Sequence, residues 1–141
     1  MKTYRSFATT LEALLASDQA VRITVPGYMP LSVERIGRSG DGNVLIAISQ
    51  TATQNGDLMR NPELVFEIHE HGCIGRLAEP ISFRNDFVGA FQEACQYDDQ
   101  GRRKGVYPRL RRELDSFARL WFRNLREQGF LSDAARREIL A

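Results

Sequence analysis

Little in this chain of 141 residues announces a chemistry. Its two cysteines, Cys73 and Cys95, are too few for a disulfide framework, and neither belongs to a Cys-x-x-Cys pair. That pattern predicts a reduced, cytoplasmic setting. No apolar run approaches the roughly 20 residues that a membrane span needs, and the opening MKTYRSFATTLEALLAS has no uninterrupted signal-peptide core, so no membrane partner is expected. Internal repeats, low-complexity tracts and long linkers are missing too, which predicts one domain over residues 1–141. The chain also lacks a P-loop, a dinucleotide fingerprint, a Ser-His-Asp or Cys-His pairing, and any helix-turn-helix, zinc-finger or RNP-type motif. A cofactor is therefore not implied, and a non-enzymatic protein is the expectation.

Net charge is nearly absent as well, at +1, but it is unevenly placed. Residues 102–126 carry nine basic side chains against two acidic ones, a local +7 that leaves −6 for the rest. A molecule so divided can present a cationic patch to a polyanion, or can answer the same charges with its own carboxylates.

The chain contains enough apolar residues, 43%, to fold around a core. Between Tyr107 and Gln128, Leu110, Leu114, Phe117, Ala118, Trp121 and Leu125 recur at helical spacing, with Arg112, Arg119, Arg123 and Arg126 roughly opposite. Pro108 suits the first turn of that helix and Gly129 the position just past its end. Phe7 to Ala16 predicts a short N-terminal helix, with Thr9 and Glu12 as a capping box, and Ser132 can cap a last short helix over Asp133 to Leu140. Between the helices, Ala20–Val25, Leu31–Ile36, Val44–Thr51, Leu64–His69 and Ile74–Phe83 read as strands. Gly37–Asn43 makes a hairpin turn, and Gln54–Pro62 reads as a polar loop. Pro80 pushes its strand toward an edge or a bulge. Phe87–Tyr97 fits strand or helix, with the Asp98–Gly101 turn favouring strand. The expected class is α+β: a short helix, an antiparallel sheet of about five strands, a long helix packed across it, and a short terminal helix.

Three runs in order, QNGDLMRNPELVFEIH (Gln54–His69), PISFRNDF (Pro80–Phe87) and RLRRELDSFARLWFRNLREQGF (Arg109–Phe130), resemble an uncharacterised bacterial domain family found in plasmid and integrative-element proteins. The resemblance covers roughly residues 10–130. It implies an accessory protein of a mobile genetic element and carries no activity over to any residue.

Four constellations could carry chemistry. The basic face, Arg109, Arg112, Arg119, Arg123 and Arg126, extends about 25 Å along a helix and is preceded by Arg102, Arg103 and Lys104. Guanidinium groups suit phosphate, so nucleic acid or a nucleoprotein is one reading, with a host-defence protein as a variant. The competing reading is a solvated face paired with Glu113, Asp115, Glu127 and the acidic sheet. Next, His69, His71 and Cys73 point the same way on a strand and could meet a zinc-like ion, although no fourth ligand is evident and a polar strand end explains them as well. Two polar loops come third, Asn55-Gly56-Asp57 with Arg60-Asn61, and Arg84-Asn85-Asp86. There, Asp57, Glu67 and Asp86 could hold a divalent ion for phosphodiester hydrolysis, whereas the preferred account is an internal Arg84–Asp57 or Arg84–Glu67 pair. Lastly, Trp121 and Phe122, with Phe117 and Phe130, either pack on the sheet or form an aromatic patch for a homodimer or another protein.

Overall fold

Strands dominate this chain. The computed structural model describes residues 2–140. Helix α1 (Lys2–Leu15) buries Phe7, Ala8, Leu11, Leu14 and Leu15 on one stripe. It begins earlier than Thr9 would have it as a cap: Thr9 lies inside the helix, and its hydroxyl donates to the Arg5 carbonyl. Six strands follow as a meander, β1 (Ala20–Thr24), β2 (Leu31–Arg38), β3 (Val44–Gln54), β4 (Asp57–His71), β5 (Gly75–Asn85) and β6 (Ala90–Glu93). A two-stranded ribbon, β7 (Cys95–Tyr97) and β8 (Arg103–Val106), leads into helix α2 (Pro108–Glu127), and β9 (Arg136–Ile139) ends the order. The main sheet has seven antiparallel strands in the order β6-β5-β4-β3-β2-β1-β9.

This corrects the α+β expectation of about five strands with a helix at the end. Among the described residues the protein is mostly β, with two helices and a second small sheet. Two segments, Gln54–Pro62 and Asp133–Leu140, account for most of the difference. Gln54–Pro62 is no loop, because Asn55 and Gly56 adopt φ values of +52° and +85° and close a tight hairpin whose two strands are long and mostly exposed at this end. Within Asp133–Leu140, a strand over Arg136–Ile139 takes the place of the expected terminal helix. Ser132 does accept the Ala134 N–H, but it folds a turn, after which residues 136–139 find their backbone partners along β1. Phe87–Tyr97 supplies strands, as the turn after it favours, but two of them: β6 extends the main sheet, while β7 leaves it for the ribbon. Pro80 sits on an inner strand beside a bulge, where the β4–β5 register shifts between Val65 and Phe66.

The register explains the core. Val21, Val33, Ile48, Leu64 and Phe83 form one row across five strands, all on the face that the helices cover. Helix α2 docks Leu114, Ala118, Trp121, Phe122 and Leu125 there. Phe7, Phe66 and Phe122 join α1, β4 and α2 in an aromatic triad with ring centroids 5.3–5.7 Å apart. Each such pair contributes about 0.5–1.5 kcal/mol beyond its area. Trp121 and Phe122 are thus both core residues, and the indole N–H donates to Gln50 at 3.0 Å. Past the end of α2, Gly129 takes φ +96° and the Phe130 N–H returns to the Leu125 carbonyl, which stops the helix and turns the chain toward β9.

Candidate functional site

The basic segment 102–126 is split between two places. One part turns inward. Glu67 and Glu79, both 2% exposed, face each other across β4 and β5. Arg103, from β8, bonds to both carboxylates, and Arg111, from the start of α2, reaches Glu79 at 3.1 Å. His69 contacts Glu79 at 2.9 Å, and the other oxygen of Glu67 accepts hydrogen bonds from Ser39 and Asn43 in the β2–β3 turn. Burial alone would raise the pKa of Glu79; hydrogen bonds from His69 and Arg103 and the charges of Arg103 and Arg111 outweigh it and hold the value at about 2. Beside this centre, the Tyr4 hydroxyl donates to Asp115 and accepts from Arg111. Burial pushes the Asp115 carboxyl up.

The other part faces solvent. Arg112, Arg119, Arg123 and Arg126 lie within one narrow arc of α2, and none of them has a carboxylate within ion-pair distance among the described residues. The last three line a groove of about 560 Å³ between α1 and α2, together with Ser6, Ser116 and Leu120. Its floor is Phe7 and Phe122, which are only 2% exposed. Packing of α1 against α2 through these two rings sets the groove's width, so the aromatic core positions the arginines. Arg126 is also 3.4 Å from the Thr10 hydroxyl on α1. Arg109 pairs with Glu113 one turn on, and Arg102 stands exposed in the ribbon turn.

The remaining candidates are dispersed. Asp57 is at the β3–β4 hairpin tip, ten residues up the strand from Glu67, a separation of about 33 Å. Asp86 binds Arg84 at 2.7 Å and the Arg60 N–H at 2.8 Å, and Asn85 bonds to Asn61. The two polar loops are therefore joined, but by Arg84–Asp86 and Asn85–Asn61 contacts; Arg84 pairs with neither Asp57 nor Glu67. Asn55 is spent on the hairpin turn. His69, His71 and Cys73 do not converge. His71 ends β4 and Cys73 is exposed in the turn beyond it, while His69 turns to Glu79. The cluster with metal-like spacing among the described residues is a different one, Glu67, His69 and Glu79, whose ligand atoms lie within 4.8 Å of one another. Arg103 already bridges its two carboxylates, so the donors fit a guanidinium better than an ion. Glu79, Arg111, Ser6 and Ser116 carry no local sequence signal and were invisible without the register and the helix pairing.

A mostly β domain with two helices on one face and an arginine-lined groove between them is the class that these features define. The chain belongs to the family described as a domain of unknown function (DUF6908), which it matches over residues 2–131. No curated protein and no solved structure matches it. Among the described residues no helix is long and apolar enough to cross a membrane.

Proposed function

We propose that this protein binds nucleic acid, free or as nucleoprotein, through the groove between α1 and α2, and that it acts by binding and not by catalysis. One observation carries the reading: Arg119, Arg123 and Arg126 share a groove with no carboxylate in its lining, whereas Arg103 and Arg111 are neutralised inside the fold. Cations left unanswered in a concave site attract a polyanion, and guanidinium groups hold its phosphates bidentately. The likeness of residues 10–130 to domains of plasmid and integrative-element proteins supports an accessory role in a mobile element, where a host-defence protein is the variant target.

The test is binding of short single- and double-stranded DNA and RNA at about 50 and 200 mM salt, beside Arg119→Ala/Arg123→Ala. Three phosphate contacts predict an affinity loss of about 20- to 40-fold across that range, and a similar loss in the double variant at low salt. Binding that ignores salt, or that survives removal of both arginines, would overturn the proposal.

A further inference from the structure

The face of the sheet turned away from the helices carries a second concavity. Side chains alternate between the faces of a strand, so the row Val65, Ser82, Glu93 and the row Glu63, Arg84, Phe91 both point away from the core row of Leu64 and Phe83. With Leu45, Ile81 and Tyr97 they line a hollow of about 490 Å³, within the range of about 300–1,000 Å³ that suits a small molecule. Ile81 is the extra residue of the β5 bulge, and its buried side chain adds to an apolar floor. One end is walled by the β2–β3 turn and the ribbon turn, which meet at Gly40 and Gly101. The hollow is therefore a bowl, closed on one side, and not a channel for a through-running chain.

We infer that this bowl binds a small organic cation, an ammonium nitrogen clothed in alkyl groups. Two aromatic rings belong to its lining, Phe91, which is 62% exposed on the free edge strand β6, and the half-buried Tyr97. The faces of such rings attract alkylated ammonium groups. Glu93 stands two residues from Phe91 on the same side of β6. The neighbouring charges are already answered: Glu63 pairs with Arg60 at 3.2 Å, Arg84 with Asp86 at 2.7 Å, and Arg109, in the cleft on the other side of Glu93, with Glu113. Among the described residues Glu93 is thus the charge of this lining that has no ion-pair partner. An anion would meet Glu93 and Glu63, a neutral apolar molecule would leave Glu93 unanswered, and a hydrated metal ion would waste the apolar floor. An alkylated ammonium satisfies the rings, the floor and the carboxylate together. Because α2 packs on the opposite face of the sheet, this site is independent of Arg119 and Arg123.

The experiment follows backbone amide NMR signals of the full chain during titration with choline, and separately with its neutral carbon isostere dimethylbutanol, at constant ionic strength. Phe91→Leu and Glu93→Gln are titrated alongside; both positions are exposed, and the amide spectrum reports whether each variant is folded. Expected are choline-induced shifts centred on Val65, Ser82, Phe91, Glu93 and Tyr97, with choline bound about tenfold more tightly than dimethylbutanol. Each substitution should weaken choline about two- to fivefold, and Glu93→Gln should leave dimethylbutanol unchanged. Equal affinity for the two compounds would overturn the inference, as would undiminished choline binding by Glu93→Gln, shifts confined to other parts of the chain, or no shift at all. None of these outcomes bears on polyanion binding by the helix face, which the salt titration with Arg119→Ala/Arg123→Ala tests separately.

Discussion

Glu67 and Glu79 stand directly opposite each other on neighbouring strands, both out of water, and Arg103 bonds to both. Two like charges so placed repel strongly unless a cation lies between them. The guanidinium does that from the ribbon, and Arg111 adds a second cation on Glu79 from α2, so the pair of acids becomes the point where sheet, ribbon and helix are tied. Replacing one partner of a buried pair leaves the other uncompensated, a cost of about 3–5 kcal/mol. Arg103→Met should therefore lower the urea midpoint far more than Arg119→Ala, which has no partner to strand and is expected to stay within about 0.5 kcal/mol of the parent. Equal midpoints for the two variants would contradict this account.

Acid should act through the same place. The Glu79 carboxyl takes up its proton near pH 2 in the folded protein and near its ordinary value of 4.5 when unfolded. Its stabilisation is then complete above about pH 4.5 and disappears as pH falls toward 2. Asp115, pushed up by burial, works in the opposite sense, losing stability as pH rises through its folded value. Glu79→Gln is predicted to be less stable than the parent at pH 7 and to show a flatter decline between pH 4.5 and 2. Thermal unfolding at half-unit pH steps would reveal the change of slope.

Much of α2 could be read directly from residues, and the acid pair could not. The 3.6-residue recurrence of Leu114, Ala118, Trp121 and Leu125, with Pro108 and Gly129 at its ends, is local information, and the helix runs from Pro108 to Glu127. The partnership of Glu67 with Glu79 depends on a bulge and a register set across two long strands, which no short window contains. Ser132 shows the opposite failure: its polar signal was genuine but equally good for a turn, and only the free side of β1 decides that a strand follows. The arginine face lies between these cases. Its members were evident, but their division into neutralised and unanswered groups needed the fold.

Gly40 gives a prediction about the ribbon. A Cβ added there would fall 2.1 Å from the Gly101 carbonyl oxygen, a backbone atom that cannot swing away. Gly40→Ala should part the β2–β3 turn from the ribbon turn and cost about 1–3 kcal/mol, as overpacking does. Because Arg103 donates its backbone N–H to Asp41 in the same region, faster amide exchange at Arg103 should accompany the loss.

Phe122 separates packing from charge in the groove. Truncation to alanine removes the ring that meets both Phe7 and Phe66, at a cost of about 3–5 kcal/mol. Phe122→Leu keeps most of the volume and is expected to fold, with polyanion affinity reduced because α1 and α2 close on a smaller side chain. Unfolding curves paired with a binding titration would separate the two effects.

The family match ends at Leu131, whereas β9 begins at Arg136, so the last strand of the sheet lies beyond the matched segment. Its four residues are all exposed, and Arg136, Arg137 and Glu138 put charge on an otherwise unpaired margin of the sheet. In colloidal terms it is a stopper: a short, charged strand that denies β1 to other chains. A chain cut after Leu131 should keep the matched fold's main pairings yet lose soluble yield at high concentration, through strand addition to the margin that β9 covers.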